Sequence, residues 1–179
     1  MELIFSGGWV LWILILLSVY SLATIAWLLL QSRAAVINAP VSASAAAQHP
    51  VVHALEQAAT KSGYKADSLQ ERLSSIAFEH LTAFRQTMRP LEVVAAAAPL
   101  IGLLGTVLGM IEAFATLSQV EGQIDPSLLA DGIWQALLTT AAGLIVAIPA
   151  LVAWHYLDKK VENSAALLNR YIIDKVSRS

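Results

Sequence analysis

The stretch Ala98–Phe114 reads A-P-L-I-G-L-L-G-T-V-L-G-M-I-E-A-F, and its reading decides the fold. It is apolar from Ala98 to Ile111, yet it carries a proline, three glycines and a threonine. Written as a helix, Ala95, Ala98, Gly102, Gly105, Gly109 and Glu112 recur at spacings of three and four and share one face. Leu100, Leu104, Leu108 and Ile111 cover the opposite side. A smooth face on an apolar helix lets another backbone approach closely, which is how helices associate in lipid. Thr106 lies beside that face and carries its only side-chain polar group before Glu112.

Composition places the whole chain in the same setting. Its 179 residues are 57% hydrophobic and 13% charged, against roughly 25% charged in globular domains. Mean hydropathy is +0.64. This length suits a single domain over 1–179. Net charge is −2, which gives no footprint for a nucleic-acid partner. The absence of cysteine removes disulfide and thiol chemistry. His49 and His53 stand four apart, but no third ligand lies near them, so no metal site is expected. Nothing points to a cofactor.

Three uncharged runs are long enough to cross a bilayer, which takes roughly 20 apolar residues. TM1 covers about 9–30, with Trp9, Trp12 and Trp27 suited to the two interfaces. It reads as a retained span and not as a signal peptide, because the preceding residues hold Glu2 and no Lys or Arg, and the run is too long for a typical signal h-region. TM2 covers about 91–114, built around the uncharged run Val93–Ile111, and TM3 covers about 132–157. Basic residues fall only in the segment 31–90 and the tail 158–179. The positive-inside rule then places the N-terminus outside, 31–90 inside, the connection 115–131 outside and the tail inside. The expected fold is an all-α membrane protein with three transmembrane helices, N-out and C-in, whose TM2 and TM3 extend into the cytoplasm as long helices.

Residues 31–50 are rich in Ala, Ser and Pro and read as a linker. Val51–Ser62 reads as a short helix stopping at Gly63. Ser68 with Glu71 forms a capping-box pattern. Beyond it Leu69, Leu73, Ile76, Ala77, Leu81, Phe84 and Met88 share a face up to Arg89. This helix either only packs on its neighbours or runs on through Pro90 into TM2 as part of a vestibule. In the tail, Val161, Ala165, Leu168 and Ile172 mark an amphipathic continuation of TM3.

TM3 mirrors TM2. Ala136, Thr140, Gly143, Ala147, Ala150 and Trp154 recur at spacings of four and three, with Gln135 and Thr139 flanking the stripe. Two spans with matching small faces are expected to pair. At about 1.5 Å per residue, Thr106 lies roughly 20 Å in from Val93 and Thr140 roughly 12 Å in from Gly132, so the two share a depth. Glu112 and Gln135 lie further out, again at one level. A membrane threonine either bonds its own carbonyl three or four residues back or serves a pore, and both readings stay open. Glu112 reads equally as an interfacial carboxylate or as part of an ion path. Pro99 and Pro149 each free a backbone carbonyl and mark kinks. No Asp, Glu, Lys, Arg or His occupies the middle of any span. An ion path therefore needs a charged group from a partner. The soluble segments hold no phosphate loop, nucleophile elbow or metal quartet, so an enzyme is not expected.

At A-P-L-I-G-L-L-G-T-V-L-G-M-I-E-A-F and at I-W-Q-A-L-L-T-T-A-A-G-L-I-V-A-I-P-A, the chain closely resembles the MotA/TolQ/ExbB proton-channel family, the ExbB branch best. The resemblance implies a bacterial inner-membrane motor subunit, assembled as a pentamer around a single-span ExbD- or TolR-type partner that supplies a membrane aspartate. Proton flux would then be passed on to a TonB-like protein that energises outer-membrane import. It also implies that Thr106 and Thr140 line the pore, together with the small faces of TM2 and TM3 (Ala98, Gly102, Gly105, Gly109, Ala136, Gly143 and Ala147). Gln135 stands where that pattern usually has Glu, so Glu112 becomes the candidate outer-mouth carboxylate. A TolQ-like envelope role and a non-conducting membrane scaffold are the alternatives.

Overall fold

A computed structural model describes residues 8–37, 49–60, 66–118 and 126–177. Glu2, Gly63 and the middle of the 115–131 connection lie outside the described residues. Those described are almost entirely helical: α1 (Gly8–Ala35), α2 (Pro50–Thr60), α3 (Ala66–Ser118) and α4 (Pro126–Ser177). α1, α3 and α4 are each long and apolar enough to span a membrane. α3 has 53 residues and α4 has 52, more than twice what the bilayer core requires.

The long helices run through their prolines. Pro90 and Pro99 lie inside α3, and Pro149 lies inside α4. Each lacks an N–H, so the carbonyls of Gln86, Ala95 and Ile145 lose their ordinary helical donor. The flanking turns are intact, and α3 continues from its amphipathic half into its apolar half. α2 opens at its first position on Pro50, where a missing N–H costs nothing. His49 Nδ1 accepts the Val51 N–H at 3.4 Å just before it.

The chain divides into two compact units, Met1–Ile25 with Pro90–Ala153, and Ala26–Arg89 with Trp154–Ser179. The first is the apolar unit. Its buried side chains are few and mostly small: Val10, Leu14, Val94, Ala98, Ala136, Ala147 and Ala150 among them. Large apolar side chains such as Leu16, Leu100, Ile111, Ile145 and Val152 are exposed. That inversion of the globular pattern suits a lipid or protein surround.

The second unit has a conventional amphipathic core. Leu69, Leu73, Ala77, Leu81, Phe84 and Met88 of α3 are buried, as are Leu157, Val161, Leu168 and Ile172 of α4 and Val51, Val52 and Leu55 of α2. Three details differ from the sequence reading. α3 starts at Ala66, so Ser68 lies in its first turn and is not the cap. Ala165 is exposed, and the fourth buried position is Ser164. Its hydroxyl accepts the Ile37 N–H at 3.1 Å, which gives a polar side chain a reason to be inside. Residues 31–37 are not linker, because α1 runs to Ala35, and Val36 and Ile37 are buried.

At the surface of this unit Arg85 pairs with Asp158 at 3.2 Å. The Tyr171 hydroxyl donates to Glu56 Oε1 at 3.3 Å. Burial first, then the Glu56 carboxylate, holds that phenol above the usual tyrosine range. The contact therefore stabilises below about pH 10 and is lost as the phenol ionises above it.

Core packing, not surface charge, holds this unit. Leu73→Ala should cost about 2–5 kcal/mol, whereas Arg85→Ala should cost under about 1 kcal/mol. Urea unfolding of the detergent-solubilised variants checks the order, and equal losses would contradict it.

Candidate functional site

The small face of α3 is turned onto the small face of α4. A Cβ added at Gly102 would lie 2.8 Å from Thr139 O and 3.2 Å from the Cα of both Gly143 and Thr140. One added at Gly143 would lie 2.6 Å from Ala98 O and 3.1 Å from Gly102 Cα. Only glycine lets the two backbones come this close. The register continues with Gly105 against Thr139, Gly109 against Ala136 and Gly132 against Ala113. The helices therefore run antiparallel along a continuous seam. Ala98, Gly102, Gly105, Ala136, Gly143 and Ala147 are all buried. The two small faces meet each other at backbone distance around Gly102 and Gly143.

Helical geometry gives the seam two edges. At about 100° per residue, Thr106 is roughly 40° past Gly102, and Thr140 roughly 60° past Gly143. Across an antiparallel pair those offsets fall on the same side. In the seam's register Thr106 and Thr140 are about one residue, or roughly 1.5 Å, apart in level. Both are half-buried. Gly105 and Thr139 are offset the other way and form the second edge, where Val10 of α1 lies 3.1 Å from the Cβ position of Gly105. Glu112, exposed, and Gln135, half-buried, are also offset to this second side. Six residues separate Glu112 from Thr106, about 120° around α3. Glu112 and Gln135 are thus close in level, but they do not share an edge with the two threonines.

The hydroxyls have definite partners. Thr106 Oγ1 donates to Leu103 O of its own helix at 2.7 Å. Thr140 Oγ1 donates across the seam to Gly102 O at 3.4 Å. Thr139, which the sequence placed only as a flank, is the buried hydroxyl. Its Oγ1 lies 2.7 Å from Ala136 O and 3.3 Å from Gly102 O. The signal for it was present, since Thr139 follows Gln135 by four residues and stands 100° from Thr140. A shallow open groove of about 530 Å³ runs beside Thr106, lined by Val107, Met110, Ile111 and Phe114. Among the described residues of that lining, Thr106 brings the one polar side chain. Among the described residues no group of His, Cys, Asp and Glu could hold a metal ion.

An apolar three-span unit with a glycine seam, flanked by hydroxyls and lacking a mid-span charge, defines a membrane subunit that pairs its second and third spans tightly. The profile of the MotA/TolQ/ExbB proton channel family matches residues 42–170. The chain belongs to that family. It is 42% identical over 85 residues to the biopolymer transport protein exbB1 of Vibrio cholerae, covering 48% of this chain and 37% of that one. It is 43% identical over 76 residues to ExbB of Neisseria gonorrhoeae, covering 42% and 34%. It is 45% identical over 71 residues to the Tol-Pal system protein TolQ of Haemophilus influenzae, covering 40% and 31%. The matched stretch spans about a third of the length of each of these relatives.

The glycines should rank by what their Cβ would meet. Gly102→Ala and Gly143→Ala, which strike backbone, should each destabilise the apolar unit by about 1–3 kcal/mol. Gly109→Ala meets only Ala136 at 3.4 Å, an ordinary contact, and should be tolerated. Thermal unfolding in detergent measures the ranking, and an equal loss at Gly109 would contradict it.

Proposed function

We propose that this chain is an inner-membrane proton-channel subunit of an ExbB–ExbD-type motor. Several copies, five by family resemblance, surround the transmembrane helix of a single-span ExbD- or TolR-like partner. That helix lies against the edge that carries Thr106 and Thr140, and its aspartate carries the proton. The two hydroxyls solvate that carboxylate or the water beside it. The flux drives a TonB-like protein and, through it, outer-membrane import.

The placement of those two threonines carries this reading. They share one edge and one level of the seam, in spans whose middle holds no ionisable side chain. A proton cannot cross hydrocarbon without a titratable relay or a water wire, and hydroxyls can only assist one. The groove beside Thr106, apolar apart from that residue, suits an apolar helix carrying one polar group. The TolQ of Haemophilus influenzae matches this chain at an identity comparable to that of the two ExbB proteins, over a somewhat shorter stretch. That keeps a TolQ-like role in a Tol-Pal envelope system as the second reading.

Proton flux into liposomes that hold this chain and its single-span partner tests the proposal. Thr140→Val should lower flux about tenfold, the scale of one hydrogen bond made in the conducting state, with assembly unchanged. Wild-type flux in Thr106→Val combined with Thr140→Val would remove the hydroxyls from the path.

Glu112 is proposed as the carboxylate at the outer mouth, near Gln135 in level; it stands on the second edge of the seam, so it serves the entrance to the path and not the threonine edge itself. Glu112→Gln should then slow growth that depends on energised import, at equal protein level. Wild-type growth would leave Glu112 as an interfacial charge.

A further inference from the structure

Donors and acceptors in the seam are not matched one to one. Thr139 has one hydroxyl proton and two carbonyls within reach, Ala136 O at 2.7 Å and Gly102 O at 3.3 Å. Gly102 O has two side-chain hydroxyls within reach, those of Thr139 and of Thr140, the latter at 3.4 Å. Each carbonyl also accepts its helical amide, Thr106 N–H for Gly102 and Thr140 N–H for Ala136. The contested position is therefore the second lone pair of Gly102 O.

We propose that Thr139 is a positioning residue for the conducting edge. Its hydroxyl takes over the Gly102 carbonyl when the Thr140 hydroxyl turns outward. The inference rests on the reading of Thr106 and Thr140 as the edge that serves the partner.

Three observations carry it. Thr139 is 3% exposed, so its hydroxyl has no water to turn to. Among the described residues, two carbonyls lie within its reach. The exchange needs rotation about the Cβ–Oγ bond and no movement of heavy atoms. Thr140, by contrast, is half-buried, and its hydrogen bond is the longest of the three. Its hydroxyl is the one able to leave. The seam also keeps room for Thr139 in particular. A Cβ at Gly105 would lie 2.7 Å from Thr139 Oγ1 and 2.8 Å from its Cβ, so a glycine opposite is required for this side chain to sit where it does.

The consequence concerns how freely Thr140 works. Buried between two apolar helices, Gly102 O has no water to replace a departing donor. With Thr139 present, the departure of Thr140 is compensated from the other edge of the seam. Without the Thr139 hydroxyl, Thr140 is the single side-chain donor for that carbonyl and is held inward. Flux then falls although both edge threonines remain.

The test is flux per assembled complex in liposomes holding this chain and its single-span partner. Thr139→Val, close to isosteric, should lower flux about three- to tenfold, and Thr139→Ser should restore it. Thr139→Val with Thr140→Val should be no slower than Thr140→Val alone. A merely structural Thr139 would lower the amount of complex and leave flux per complex unchanged. That result overturns the inference, as does a Thr139→Ser as impaired as Thr139→Val, or losses that multiply in the double variant. If Thr140→Val conducts like wild type, the edge reading itself falls. If Thr140→Val is impaired but Thr139→Val is not, only the role of Thr139 falls.

Should Thr139→Val fail to assemble, isotope-edited infrared spectroscopy of the Gly102 carbonyl in Thr140→Val decides. The band should stay at its wild-type, doubly bonded frequency, because Thr139 has taken over. A shift to higher frequency would overturn the exchange.

Discussion

The apolar half of this molecule depends on one close approach, α3 against α4 at Gly102 and Gly143. Without a hydrophobic driving force between helices in lipid, association rests on van der Waals contact and on interhelical hydrogen bonds. Both need the backbones near each other, and both are present here. The added-Cβ distances of 2.6 and 2.8 Å to backbone oxygens leave no room for any side chain. The same approach brings Gly102 O within reach of two threonine hydroxyls. Everything distinctive about the site follows from it: which hydroxyl is buried, which two share an outward edge, and which faces are left large and apolar.

The seam also sets what this chain can contribute to ion movement. Its small faces meet in pairing, so the proposed path lies along an edge of the pair and not between its helices. One edge carries Thr106 and Thr140 at one level. The other carries Gly105 and Thr139, with Val10 of α1 alongside. Hydroxyls on an otherwise apolar edge can orient water or a carboxylate but cannot hold a charge of their own. In the proposed function the proton-carrying group therefore arrives on another chain. The amphipathic unit follows ordinary globular rules, with leucines inside and ion pairs outside, and the proposed ion path makes no use of it.

Much of this was legible in sequence. The three spans and the buried face Leu69–Met88 follow from charge-free length and helical period, whereas the sequence left open whether the helix before Pro90 runs on into the second span. The glycine and alanine stripes marked the surfaces that meet. What they could not convey was that the two stripes would fill each other, because spacing gives a face and not its occupant. Thr139 and Thr140 are adjacent in sequence, so only the seam's register decides which is buried. Ser164 was passed over for Ala165 because its burial depends on a distant amide, that of Ile37. Val36 and Ile37 were hidden by the Ala-, Ser- and Pro-rich composition that follows them.

The most direct test of the account is disulfide trapping in native membranes, which is free of background because the chain has no cysteine. Gly109→Cys with Ala136→Cys places two Cβ atoms about 3.4 Å apart across the seam, close to the range a disulfide needs. Oxidation should cross-link these positions within one chain, leaving the protein at monomer size on a denaturing gel and blocked to thiol alkylation. A ladder of multimers, or thiols that stay free under oxidation, would contradict the seam and every assignment built on it.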